Sequence, residues 1–203
     1  EDTARSAVLQ RFGDRLDLSD RFELRFHYVT SDQVNAFAMP GGDIVVFSGI
    51  LEGMEYPEQL AALVAHEATH VHERHSTRMM VRQMAGYLFL SLLIGDVNAV
   101  VGVLAENADN LRNMSYSRNL ETDADARGIE RLRAAGVDPQ GMVKLLELLG
   151  SEAGDMPEEL SFLSSHPLTE ERIAKAKEAV GDGTLTDPVT GELAELFERL
   201  KAE

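Results

Sequence analysis

The chain has no cysteine among its 203 residues. That excludes disulfide frameworks, thiol nucleophiles and thiolate-ligated metal centres, while leaving the compartment open. Cations are scarce as well: 19 Lys and Arg stand against 35 Asp and Glu, a formal net charge of −16. An acidic balance disfavours nucleic acid and anionic lipid as partners, since both call for basic patches. No apolar run is long enough to span a bilayer. The most apolar stretch, Met84 to Gly95, is followed by Asp96 and Asn98 before Ala99 to Ala105, and reads as a buried or lid helix. Nor does any segment read as a secretory leader. The chain opens Glu1-Asp2-Thr3-Ala4-Arg5, with no apolar stretch behind a basic start, and without Met, as a trimmed precursor would. Internal repeats and low-complexity linkers are missing too. What is there is an ordinary globular composition, 44% apolar and 27% charged, in a length for which one domain with a real core is the default.

The periodicities predict an α+β fold, rich in helix with a small mixed sheet. Residues 3–16 carry Val8, Leu9, Phe12 and Leu16 on one helical stripe, and residues 22–30 alternate as a half-buried strand with His27 on its exposed side. Met39-Pro40-Gly41-Gly42 marks a turn before a nearly apolar strand over 43–48. Pro57 suits a first helical position, and the helical pattern continues to about Arg82. Residues 97–113 read as a loop or broken helix. Ser115 or Ser117 can cap a helix to about Ala135, ended by Gly136; Asp138-Pro139 opens another that stops at Gly150. Two short helices are expected near 170–180 and 193–201, with turns at Gly181-Asp182-Gly183 and Asp187-Pro188 between them.

Four of the six histidines fall between positions 66 and 75. Among them, His66-Glu67-Ala68-Thr69-His70 is an HExxH motif on a helix. Four residues turn a helix by about 400°, so His66 and His70 project about 40° apart and roughly 6 Å along the axis. Two imidazoles at that offset can reach one zinc ion. Glu67, beside the first of them, can take a proton from water that the ion makes acidic. A catalytic zinc needs a third protein ligand and an open position. Position 76 is serine, so there is no HExxHxxGxxH extension and a carboxylate on a later helix is expected. Glu121 and Asp125 in Ser117-Arg118-Asn119-Leu120-Glu121-Thr122-Asp123-Ala124-Asp125 lie four apart on one face. Glu121 can ligate while Asp125 accepts an N–H from His66 and fixes its tautomer. Taken alone, these acids could equally be the surface of an acidic protein. His72 and His75 project about 200° and 140° away from His70 on a continuous helix, which gives His72 a surface role and His75 one in packing or hydrogen bonding.

These blocks, with Asn35-Ala36-Phe37-Ala38-Met39-Pro40-Gly41-Gly42, Arg74-His75-Ser76, Ser165-His166-Pro167 and Arg172-Ile173 in the same order, together resemble the gluzincin family that includes HtpX-type and CAAX-prenyl-type zinc endopeptidases. They span residues 35 to 173; the departure is 84–105, where membrane members carry full spans and this chain does not. The resemblance implies a soluble, minimal member in which residues 1–203 form a single metallopeptidase domain with one zinc ion per chain. His66, His70 and Glu121 would be the ligands, Glu67 the general base, and Asp125 the residue that orients His66. His166 would lie across the cleft, donating to the oxyanion or occupying the open zinc position; read alone it is a loop histidine. Arg172 would hold substrate carbonyls or brace His166, against a bland surface salt bridge. The substrate would be an extended or unfolded polypeptide that adds to residues 42–48 as an edge strand, through Gly42, Asp43 and Ile44, with Asn35, Ala36 and Phe37 contributing backbone contacts. The family also leans towards the periplasm or cell envelope and protein quality control. The alternative, from another functional class, is a latent or inactive zinc-bound module of the same fold that binds peptides in a chaperone-like way.

Overall fold

The computed structural model describes residues 1–94, 115–152, 162–181 and 191–202. The expected irregular segment at 97–113 and the turns at 182–183 and 187–188 lie outside them. In chain order the described elements are α1 (Thr3–Leu16), β1 (Arg25–Val29), β2 (Ala36–Ala38), β3 (Asp43–Phe47), α2 (Ser48–Glu52), α3 (Pro57–His72), α4 (His75–Ile94), α5 (Arg118–Ala134), α6 (Gln140–Glu152), α7 (Phe162–Ser165), α8 (Glu170–Val180) and α9 (Glu192–Lys201). Helices dominate and the sheet is small and mixed, in agreement with the α+β reading.

Helix α3 is the axis of the molecule, with every residue from Pro57 to Val71 buried. It starts in a capping box: Gln59 accepts from the Tyr56 amide at 3.0 Å, with Pro57 where its missing N–H costs nothing. Ala61, Ala62, Ala65 and Ala68 are fully buried small sides that let other elements come close. One continuous apolar cluster runs from Val8 and Phe12 in α1, through α3, to Leu196 and Leu200 in α9.

The sheet order is β1-β3-β2, with β1 parallel and β2 antiparallel to β3. This corrects the expectation that residues 42–48 form an edge: β3 is central, and both of its flanks are paired. The three-residue β2 escaped the sequence reading because it is too short to show an alternation. The outer edge of β1 is closed by α1, where Ser6 Oγ accepts from the Tyr28 amide at 2.9 Å and Gln10 Oε1 from the Phe26 amide at 2.9 Å. Side chains thus blunt one edge of the sheet, and β2 forms the other.

The helix expected over 57–82 is two helices. Glu73 and Arg74 make a tight turn, Arg74 with φ at +56°, and α4 starts afresh at His75. Neither glycine nor proline marks that turn, so nothing local announces it. The apolar stretch beyond Met84 is helical to Ile94, and two of its large side chains, Phe89 and Leu93, are 66% and 69% exposed rather than buried. Among the described residues no helix is long and apolar enough to cross a membrane.

Candidate metal centre and active site

Helices α3 and α5 lie side by side, and their facing side chains build the site. Gly128 of α5 comes against the backbone of Ala65 and His66. One turn earlier in α5, Asp125 Oδ1 sits 3.0 Å from His66 Nδ1, and a further turn back Glu121 reaches the histidine pair. His66 and His70 turn their Nε2 atoms to within 3.1 Å of each other. Glu121 Oε1 lies 3.3 Å from His70 Nε2, and its Oε2 3.6 Å from His66 Nε2. The loop after α7 brings His166 Nδ1 to 3.3 Å from His66 Nε2 and 3.2 Å from Glu121 Oε1. All four residues are buried, and their donor atoms lie within 4.8 Å of one another.

These residues fit a metal ion. Donors about 2.0–2.1 Å from a tetrahedral ion stand about 3.3 Å apart, and the spacings here, 3.1 to 3.6 Å, cluster around that length. The charges agree. Burial opposes a proton on His66, yet hydrogen bonds to Asp125 and Glu121 overcome it and raise the group to about 10, so the surrounding acids favour a cation at this point. Burial above all pushes His70 well below the usual imidazole range, against the pull of Glu121, which keeps it in the neutral form that ligates. Glu121 resists the effect of its own burial because three imidazoles surround it, and it stays ionised well below the usual carboxylate range.

Glu67 points into the same space. It is fully buried, and neither carboxylate oxygen has a hydrogen-bond partner. Its Oε1 is 3.5 Å from His166 Nε2, itself unpartnered. Burial, chiefly, raises Glu67, while His166, His66 and the Ala38 backbone pull the other way. Unpaired buried polar atoms are costly, and two such groups stand here beside the donor cluster.

Arg172 is buried rather than at the surface. Its Nε and Nη2 donate to the two oxygens of Asp125 at 2.7 and 2.8 Å, and its Nη1 donates to the Pro167 carbonyl at 3.0 Å and pairs with Glu121 Oε2 at 2.7 Å. Every guanidinium nitrogen is engaged inside the protein. The residue clamps Glu121, Asp125 and the loop that carries His166. His72 is half-buried against Ser19, and His27 links Glu1 and Asp43 instead of standing free.

The strand residues divide. Gly42, Asp43 and Ile44 belong to the central strand and its entry and are turned away from any docking chain. A Cβ on Gly42 would meet the Glu23 carbonyl at 2.3 Å, the Asp43 carboxylate is gripped by Arg25 and His27, and Ile44 is wholly buried. Asn35, Ala36 and Phe37 lie at or in β2. Asn35, Phe37 and Met39 face β3 with their backbone groups, so by alternation Ala36 and Ala38 turn theirs outward, Ala38 beside Glu67. A groove of about 170 Å³ leads to His70 between Met39, Pro40, Phe22 and Val71. The larger cavity, about 460 Å³ around Gln10, Asp14 and Ser19, includes none of the cluster.

Sequence reading missed three neighbours of the site. Tyr116 stacks on His70 with ring centroids 3.9 Å apart and bonds Ser76 through its hydroxyl at 2.6 Å. Phe162 stacks on His166 at 4.3 Å. Asp123 approaches His75. Nothing local marks Tyr116 or Phe162, while Asp123 was visible only as one acid in an acidic run.

An HExxH helix crossed by a carboxylate-bearing helix, with a buried His/Glu cluster fit for a metal ion, defines a metallopeptidase. Residues 1–180 match peptidase family M48, and the chain belongs to that family. It is similar to the mitochondrial metalloendopeptidase OMA1 of Schizosaccharomyces pombe, 34% identical over 176 residues that cover 85% of this chain and 51% of the relative. It is similar also to the beta-barrel assembly-enhancing protease of Escherichia coli, 32% identical over 75% of this chain and 34% of the relative, and to the metalloprotease YcaL of Escherichia coli, 30% identical over 77% and 61%. The chain thus spans about a third to three fifths of the length of these relatives. The HtpX and CAAX-prenyl types named on sequence grounds are a related branch.

Proposed function

We propose that this chain is a zinc-dependent endopeptidase acting on extended or unfolded polypeptides, with residues 1–203 as one catalytic unit. His66, His70 and Glu121 hold a single zinc ion. When bound, zinc polarises a carbonyl and makes water acidic enough to ionise near neutral pH. Glu67, raised by burial, takes the proton from the attacking water and passes it to the leaving amine; a carboxylate tuned towards neutrality suits that task. Asp125 holds His66 in the tautomer that ligates, and Arg172 holds Asp125. His166 occupies a corner of the donor set in the conformation seen, and gives it up when substrate enters.

The polypeptide lies along the unpaired flank of β2, where the outward backbone of Ala36 and Ala38, 0% and 8% exposed in the conformation seen, has to be uncovered before it can form main-chain hydrogen bonds with a substrate strand. This replaces β3 as the docking strand. The observation that carries the proposal is the convergence of His66, His70 and Glu121 from two helices with Glu67 unpaired beside them. The relatives named as proteases favour turnover over the binding-module alternative. A location in the periplasm or cell envelope and a part in protein quality control follow the relative whose name refers to β-barrel assembly.

The test is digestion of an unfolded protein such as casein, together with elemental analysis. One zinc per chain is expected, with cleavage abolished by a chelator and restored by zinc. Glu67→Gln should keep the ion and lose at least about 100-fold in rate, the lower end of what a positioned acid–base group contributes. His166→Ala, with three donors left, should also keep it. A metal-free chain, or undiminished cleavage by the Glu67 variant, would sink the proposal.

A further inference from the structure

His75 is 1% exposed and the mechanism above gives it nothing to do, yet its ring stands edge-on to a proposed ligand. The ring centroids of His70 and His75 are 5.0 Å apart, and the two Nδ1 atoms are 3.1 Å apart. His75 Nε2 faces Asp123 Oδ2 at 3.5 Å, and Asp123 is gripped through both oxygens by Arg127 Nε at 3.0 and 3.1 Å.

A neutral imidazole carries one N–H, so one nitrogen donates and the other accepts. His70 turns Nε2 to the cluster, where its lone pair is required. Its proton is therefore on Nδ1, and that proton points at His75. His75 must accept it at Nδ1, which places its own proton on Nε2, towards Asp123. We infer that His75 is a positioning residue: it accepts the Nδ1 proton of His70, fixes the ligating tautomer, and is itself set by Asp123 and Arg127.

The arrangement runs parallel to the one behind the other ligand, where His66 Nδ1 meets Asp125 at 3.0 Å and Asp125 meets Arg172. The difference is the inserted imidazole. A carboxylate in its place would add a fourth negative group to a pocket that already buries Glu67, Glu121 and Asp125. An imidazole supplies the acceptor without the charge and leaves the acid at Asp123, whose side chain is 40% exposed. The turn at Arg74 makes this possible, since on an unbroken helix residues five apart point about 140° away from each other.

This rests on the metal reading of the site, and the experiment separates the two. Zinc affinity is measured by competition with a chromophoric chelator for the whole chain and for His75→Phe and His75→Gln. Phenylalanine keeps the packing and removes the acceptor; glutamine restores a neutral acceptor. The phenylalanine variant should bind zinc about 10–100-fold more weakly, and the glutamine variant should recover most of that loss. In parallel, long-range 1H–15N spectra of the wild-type rings should show His70 protonated at Nδ1, and His75 protonated at Nε2 and bare at Nδ1. Zinc binding by wild type with an undiminished affinity in His75→Phe, or a proton on His75 Nδ1, overturns the relay alone. A wild-type chain that binds no zinc overturns the metal reading itself. The spectra decide the matter even if the phenylalanine variant does not fold.

Discussion

Asp43 opens β3 opposite Arg25 of β1. Its carboxylate accepts from Arg25 at 2.9 and 2.6 Å and lies 2.9 Å from His27. The Arg25 hydrogen bond above all brings it down to about 2, against a modest effect of burial. A carboxyl harder to protonate in the folded than in the unfolded chain stabilises the fold fully above its ordinary value near 3.9, and that contribution fades as pH falls through about 2. Asp43→Asn should therefore cost about 1 kcal/mol at pH 7, after allowance for solvent screening, and almost nothing near pH 2. Urea titrations at both pH values check this, and an equal loss at the two would show that the pairing is not electrostatic. The main chain of Asp43 is not free to pair with a further strand, because β3 is flanked by β1 and β2.

At the scale of elements, the site depends on how closely α5 approaches α3. A Cβ built on Gly128 would meet Met142 Cε at 2.8 Å and the His66 amide nitrogen at 3.5 Å. Alanine can be admitted if the Met142 side chain swings aside, but valine cannot. Gly128→Val should push the helices apart, cost about 1–3 kcal/mol through overpacking, and loosen zinc binding because Glu121 and Asp125 ride on the displaced helix. Thermal melts and chelator competition measure the two effects. A stability loss with unchanged metal affinity would mean that the carboxylates do not depend on this contact. The α3–α4 turn is the second device at this scale. The hydrophobic pattern continues through it, so from sequence the two segments read as one helix, while in three dimensions Arg74 adopts a left-handed conformation and returns His75 to the face of His70.

For the whole molecule, the proposed metal would be linked to the fold. A ligand that binds only the folded chain stabilises it by about 2.7 kcal/mol at a free concentration near 100 times Kd, which in a chain of this size raises Tm by roughly 5–10 °C. Zinc should produce such a shift, and a chelator should reverse it. Because His66 must give up a proton that its acidic partners hold up to about pH 10, zinc competes with that proton throughout the range below it, and the shift should shrink steadily as pH falls. Calorimetry at pH 7.5 and 5 reads both, and a Tm indifferent to zinc at pH 7.5 would argue against a site built into the folded core.

The amino-acid sequence by itself determined which side chains the candidate metal centre draws on. HExxH fixes two imidazoles and an acid by helical spacing alone, and Glu121 and Asp125 share a face for the same reason, so these residues were legible before any fold was known. The boundaries of α1, α5, α8 and α9 were legible too, through apolar stripes, Gly136 and Gly181. Only the tertiary structure decided which strand is central and which lie at the edges, because strand order depends on pairings between distant segments that leave no local trace. It also turned Arg172 inward, set Tyr116 and Phe162 against the histidines, and folded His75 back onto His70. Such contacts follow from where the chain reverses direction, and at Arg74 it does so without the glycine or proline by which a reversal is usually read.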